Sequence, residues 1–113
     1  MKLAIIGSRE IYDIELESFV PEQVSEIVSG GAKGIDTLVR EFAKRKSLKI
    51  TEFLPKYNIY GKAAPLKRNE EIAKYADAAI VFWNGKSKGT QHTINLFKKL
   101  EKAVTVYIVN NPE

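Results

Sequence analysis

The stretch that most constrains this chain runs from Val24 to Lys46. There a second strand, Val24 to Val28, breaks at Ser29-Gly30-Gly31-Ala32-Lys33-Gly34 and gives way to helical periodicity at Ile35. Ile35, Leu38, Val39, Phe42 and Ala43 recur at the spacing of one helix face, while Arg40, Glu41, Lys44 and Arg45 fall on the other. Glycines let the backbone turn tightly and let a bulky anion approach the amides, and the helix that follows offers unpaired N–H groups and the positive end of its dipole. The stretch therefore reads either as a phosphate-binding turn or as a strand-to-helix connection whose glycines serve geometry alone.

The rest of the chain repeats the alternation. Leu3 to Ile6 is an apolar run ending at Gly7, as a central parallel strand should be, and residues 13–20 are expected to form a short helix before Pro21. After the helix from Gly34 to Lys46, Leu48 to Leu54 reads as a third strand closed by Pro55, and Lys56 to Lys62 as a loop. A helix is predicted over Leu66 to Ala76, a fourth strand over Ala78 to Trp83, a polar loop over Asn84 to Gly89, a helix over Thr90 to Lys102 with Ile94, Phe97 and Leu100 facing inward, and a last strand over Val104 to Val109. Such alternation implies an α/β, Rossmann-like three-layer sandwich, and right-handed crossovers favour a five-stranded parallel sheet in the order 3-2-1-4-5. In that order the loops after strands one, two and four converge at one sheet edge, where folds of this class bind ligands.

Length and composition narrow the classes. A chain of 113 residues, 44% hydrophobic and 28% charged, fits one domain over residues 1–113, and no apolar run approaches a membrane span. The N-terminus lacks the features of a signal peptide, so a cytoplasmic location is expected. Without cysteine there are no disulfides, thiolate nucleophiles or thiolate metal sites, and His92 alone cannot build a zinc centre or plausibly anchor a Ser-His-Asp triad. No metal or cofactor is expected. The net charge of +4 is spread along the chain; it is compatible with a polyanionic partner but does not require one.

Two familiar phosphate motifs fail by counting. Gly85-Lys86-Ser87 lacks the earlier glycine of a Walker loop, since Ile80 stands at that place, and the G-x-G-x-x-G fingerprint is missing after the first strand. What remains is an anion site assembled from several loops: Gly7, Ser8, Arg9, Gly30, Gly31, Gly34, Asp36, Arg68, Asn69, Ser87, Gly89 and Thr90. Each has a plainer role open to it. Ser87 or Thr90 could cap the last helix, Arg68 could be a surface residue, and Asp36 could either answer the helix dipole or accept bonds from a sugar hydroxyl. Trp83, Tyr57 and Tyr60 are the candidates for stacking on a base. No residue is assigned as catalytic.

Gly7-Ser8-Arg9, Ser29-Gly30-Gly31-Ala32-Lys33-Gly34-Ile35-Asp36, Arg68-Asn69 and Ser87-Lys88-Gly89-Thr90, in this order, resemble the SLOG superfamily of Rossmann-like domains, and within it the small YspA-related branch. The resemblance implies that a nucleotide or nucleotide-derived ligand binds in the cleft that these residues line. In the related Lonely-guy phosphoribohydrolases, P-G-G-x-G-T-x-x-E follows the fourth strand; here Thr93 stands in the place of the catalytic glutamate. N-glycosidic hydrolysis would then need another carboxylate, such as Asp36 or Glu70, because a hydroxyl cannot supply the negative charge that stabilises an oxocarbenium-like centre. The DprA/Smf branch carries similar G-S-R, S-G-x-A-x-G-I-D and R-N motifs, which implies single-stranded DNA as the alternative partner. A homo-oligomer is a further expectation.

Overall fold

A computed structural model describes residues 1–7, 14–30 and 35–109. Five parallel strands, β1 (Lys2–Gly7), β2 (Glu26–Ser29), β3 (Lys49–Glu52), β4 (Ala78–Trp83) and β5 (Ala103–Ile108), form one sheet in the order β3-β2-β1-β4-β5. The helices are α1 (Ile35–Arg45), α2 (Tyr57–Tyr60), α3 (Ala64–Tyr75) and α4 (Lys88–Lys99), with 3-10 turns at Leu16–Ser18 and Gly61–Ala63. This is the Rossmann-like α/β arrangement expected from the alternation, with the expected strand order. No helix among the described residues is long and apolar enough to cross a membrane.

Strand alternation sends side chains to two separate cores. Leu3, Ile5, Ile27, Ile80 and Phe82 face α1, where Val39, Phe42 and Ala43 meet them, with Leu16 and Val24 from the β1–β2 connection. On the other face Ala4, Val28, Ala79 and Val81 meet Ile72, Ala73 and Ala76 of α3 and its C-cap, and Ile94 and Phe97 of α4. The small residues on that face let two helices lie close against the strands. Near one end of the sheet Phe19, Phe82 and Tyr107 form an aromatic cluster, with ring centroids 4.8–5.7 Å apart.

Several local expectations are corrected. Within 13–20 only the turn Leu16–Ser18 is helical, and the start of that span lies outside the described residues. The expected loop at 56–62 holds the one-turn helix α2 and the second 3-10 turn. The last helix stops at Lys99, before the expected Lys102, and Leu100 is 42% exposed rather than inward. Of the three long helices, α1 and α4 end in the same way. Ser47 and Glu101 take left-handed conformations, φ 53° and 58°. Their amides bond Lys44 O and Lys98 O, and the next amides reach Ala43 O at 2.8 Å and Phe97 O at 2.9 Å. These are Schellman closures made without glycine.

Candidate functional site

The C-terminal ends of β1 and β2 and the connection after β4 open onto one cleft of about 260 Å³. Its walls include Gly7 from the end of β1, Ser29 and Gly30 from the end of β2, Pro65, Arg68, Asn69 and Ile72 from α3, and Ser87, Gly89, Thr90 and Thr93 around the start of α4. Seven of the residues expected from the sequence therefore share this cleft: Gly7, Gly30, Arg68, Asn69, Ser87, Gly89 and Thr90. Ser8, Arg9, Gly31 and Gly34 lie outside the described residues. Asp36 does not line the cleft. A second depression of similar volume, walled by Glu17, Glu22, Phe42 and Lys46 among others, collects none of the expected residues.

Each wall is fixed by its own local chemistry. Gly7 ends β1 opposite Phe82, and its missing side chain admits α1: a Cβ there would stand 3.0 Å from Ile35 Cβ and Cγ1. This glycine serves close strand–helix packing at the cleft floor. Gly30 is crowded in a similar way, since a Cβ would lie 3.2 Å from Arg68 Nη1 and 3.3 Å from Ile72 Cδ1. Gly89 differs: a Cβ there would meet nothing within 4 Å.

Arg68 ties two walls together. Its Nη1 donates to the Gly30 carbonyl and its Nε donates to Asn69 Oδ1 at 2.9 Å. With its oxygen engaged, the buried Asn69 amide turns its NH2 toward Gly89 O at 3.4 Å and His92 Nδ1 at 3.3 Å. The imidazole accepts in the tautomer protonated at Nε2. His92 is half-buried.

The loop after β4 is built to start a helix. Asn84 Oδ1 accepts from the amides of Lys86 and Ser87 at 2.9 and 2.8 Å, and Trp83 Nε1 donates to Ser87 O at 3.0 Å. Ser87 is the N-cap of α4, its Oγ accepting from Thr90 N at 3.3 Å and Thr90 Oγ1 at 3.0 Å. The capping role is thus present, at residues that also line the cleft. Trp83 braces this loop, while Tyr57 and Tyr60 sit on α2, 58% and 40% exposed.

Asp36 belongs to a different network. Its carboxylate accepts from Ser29 Oγ at 2.8 Å and pairs with Arg40 Nη2 at 3.1 Å. Arg40 in turn grips Glu52 through Nε and Nη2 at 2.9 and 3.0 Å. The Arg40 hydrogen bonds hold the Glu52 carboxyl below the usual carboxylate range. The network clamps the end of β2, the first turn of α1 and the end of β3. Glu70, the other carboxylate considered from the sequence, pairs with Lys67 at 3.7 Å and is likewise absent from the cleft walls.

Among the described lining residues Arg68 is the single charged side chain. Thr93 is 2% exposed and donates its hydroxyl to Gly89 O at 3.2 Å. Sequence reasoning missed Pro65 and Ile72, although their spacing from Arg68 and Asn69, at 65, 68, 69 and 72, is that of one helix face and was the signal available. No family model, curated protein or solved structure matches this chain.

Proposed function

We propose that this chain is a nucleotide-ligand-binding domain of the SLOG type, cytoplasmic, which holds a phosphorylated sugar or mononucleotide in the cleft at the C-terminal sheet edge. The observation that carries the proposal is convergence: residues from four separated stretches of sequence, all suited to anions, line one cleft. The first turns of both α1 and α4 contribute to its walls, and Arg68 adds the one formal charge among the described lining residues. Ligand pockets for drug-sized molecules span on the order of 300–1,000 Å³, so about 260 Å³ suits one nucleotide unit better than an enclosed dinucleotide.

The same walls favour binding over N-glycosidic hydrolysis. No described lining residue is a carboxylate, Asp36 is held by Ser29 and Arg40, and Thr93 offers a hydroxyl already bonded to Gly89 O. A sensor or carrier fits that set. Single-stranded DNA is the second reading, favoured by exposed Tyr57 and Tyr60 on a segment that also exposes Lys56 and Lys62.

A thermal-shift panel of nucleoside monophosphates, ADP-ribose and oligo-dT of increasing length tests both. At one hundred times its dissociation constant a ligand adds about 2.7 kcal/mol, a rise of several degrees in a domain of this size. Arg68→Ala should weaken a small anionic ligand about tenfold to a hundredfold, as expected for a charged hydrogen bond worth roughly 1.5–3 kcal/mol. Gly89→Val should also weaken it, since the added bulk enters space that no protein atom fills. A panel in which nothing shifts the melt, or in which both variants bind as the unmodified chain does, would sink the proposal. Stabilisation that grows with oligonucleotide length and collapses with salt would transfer it to DNA.

A further inference from the structure

Three hydrogen bonds meet at the side-chain amide of Asn69, which is 5% exposed. Oδ1 accepts from Arg68 Nε at 2.9 Å, and Nδ2 faces Gly89 O at 3.4 Å and His92 Nδ1 at 3.3 Å. All three are satisfied in one orientation of the amide only. Turned over, it would set its NH2 against the Arg68 N–H and its oxygen against the Gly89 carbonyl. His92 enters this set as an acceptor, and its ring nitrogen is the member whose character a proton inverts. With a proton on Nδ1 the imidazole is a second donor facing the Asn69 NH2, so the amide serves Arg68 or His92 but not both.

The charges around the ring are few. α4 packs on α3, β4 and β5. Neither strand carries a charged residue, and within one turn of His92 the sequence of α4 carries only Lys88. On α3, Arg68 and Glu70 stand on either side of Asn69, with Glu70 paired to Lys67 at 3.7 Å, while Lys67, Glu71 and Lys74 fall on the opposite side of that helix. Imidazole is the side chain that exchanges its proton between about pH 5 and 8, a window above the ordinary carboxylates and below the lysines.

We propose that His92 is a positioning residue of the cleft: its neutral Nδ1 holds the Asn69 amide in the orientation that seats Arg68, and a bound anion loses part of its hold when that nitrogen takes a proton. The role rests on the cleft being the anion site described above, for His92 is not among its lining residues and acts through Asn69 and Arg68. Arg68 is held from two sides, by Asn69 Oδ1 and by the Gly30 carbonyl, and loss of the first leaves its guanidinium less fixed toward a ligand. The sign separates positioning from plain attraction. An imidazolium acting by charge alone draws an anion in, so affinity would rise on acidification; a positioning imidazole makes it fall.

Two measurements test this. In the ligand-free chain, nitrogen-15 spectra taken from pH 8 to 5.5 should show the Asn69 NH2 and Arg68 Nε–H signals moving together with those of the His92 ring. In His92→Asn both should stay still, since asparagine sets an amide oxygen near the place of Nδ1, an acceptor that no proton converts. The affinity probe is AMP, followed by calorimetry; its phosphate takes up a proton near about pH 6, so the chains are compared at equal pH. His92→Leu should weaken AMP about threefold to tenfold at pH 8, as for one neutral hydrogen bond, and His92→Asn should restore it. Between pH 8 and 5.5 the unmodified chain should lose about fivefold more affinity than His92→Asn. The role is overturned if the Arg68 signal ignores the His92 titration, if His92→Asn binds no better than His92→Leu at pH 8, or if the unmodified chain keeps pace with His92→Asn or gains on it in acid. If AMP binds at no pH, the reading of the cleft as a nucleotide site fails, and the spectra of the unmodified, ligand-free chain decide by themselves whether His92 positions Arg68.

Discussion

Adding one methyl group at Gly7 tests how the cleft floor is built. A Cβ there would lie 3.0 Å from Ile35 Cβ, 3.0 Å from Cγ1 and 3.1 Å from Cγ2, against an ordinary carbon–carbon separation of about 3.5–4.0 Å. Ile35 is 2% exposed and its Cβ is fixed to the main chain at the start of α1, so rotamer change alone cannot clear the contact. The helix must back away by roughly half an ångström, and overpacking of this kind costs about 1–3 kcal/mol. At roughly 4 °C per kcal/mol for a domain of this size, Gly7→Ala should lower the melting midpoint by about 4–12 °C. Ile35→Ala alone leaves a cavity and should cost about 2–5 kcal/mol. Combined with Gly7→Ala it removes Cγ1 and Cγ2 from the clash, so the double variant should be less damaged than the sum of the two by about 1–2 kcal/mol. Urea denaturation of all four proteins measures that coupling. Strict additivity, or Gly7→Ala as stable as the unmodified chain, would refute the close-packing account and leave Gly7 without a structural reason.

Two further outcomes follow from charged groups away from the cleft. Lys102→Met removes three donations to the end of α3 and a cation from the negative end of that helix, and with partial rehydration of the carbonyls the loss should be about 2 kcal/mol, near 8 °C in the melt; a change under about 2 °C would contradict it. At the same end of the sheet Glu26 accepts from Tyr75 Oη at 2.5 Å and Thr51 Oγ1 at 2.9 Å. The Tyr75 hydrogen bond, then that of Thr51, holds the carboxyl below its ordinary value near 4.5, against the cost of desolvation. A carboxyl depressed in the folded state contributes stability that is present above its unfolded pKa and disappears as pH falls through the folded one. Urea midpoints taken from about pH 7 down to pH 2 should therefore fall from about 4.5 downward, and Tyr75→Phe should shallow that fall by raising the folded pKa toward the unfolded one. An acid limb identical in the two proteins would show that the bond does not carry the effect.

The strand order was legible because each apolar run is bounded by glycine, proline or a helical face, and because right-handed crossovers leave few ways to arrange five parallel strands. The fourth strand, Ala78–Trp83, has the same bounds in sequence and structure. Helix ends were less legible for a specific reason. Ser47 and Glu101 adopt the left-handed conformation that usually falls to glycine, so the stop signal normally read at that position is missing from the sequence. A one-turn helix such as Tyr57–Tyr60 is too short to leave a periodicity. In the cleft, the residues with distinctive backbone or capping chemistry, Gly30, Arg68, Ser87 and Thr90, could be found from the sequence. The Asp36–Arg40 pair is legible as an i,i+4 spacing on α1, but Ser29 and Glu52 join it only when β2, α1 and β3 are packed.

That network bears on what the cleft is suited to do. A carboxylate stabilises a developing positive centre only if its charge faces the reacting atoms. Asp36 is held by Arg40 and the Ser29 hydroxyl, and the Arg40 guanidinium is shared with Glu52, so these carboxylates fasten three elements together behind the cleft. In front of it stand Arg68 and the starts of two helices, all of positive sign. Such a field lowers the energy of a bound phosphate and raises that of an oxocarbenium-like sugar. Putting Glu at position 93 would reverse the local sign, but Thr93 is 2% exposed and bonded to Gly89 O, so a longer, charged side chain would have to displace that bond and find room at the wall of the cleft. The threonine thus agrees with its surroundings in size, hydrogen bonding and charge, and the consistency of these three is the physical ground for placing binding ahead of hydrolysis.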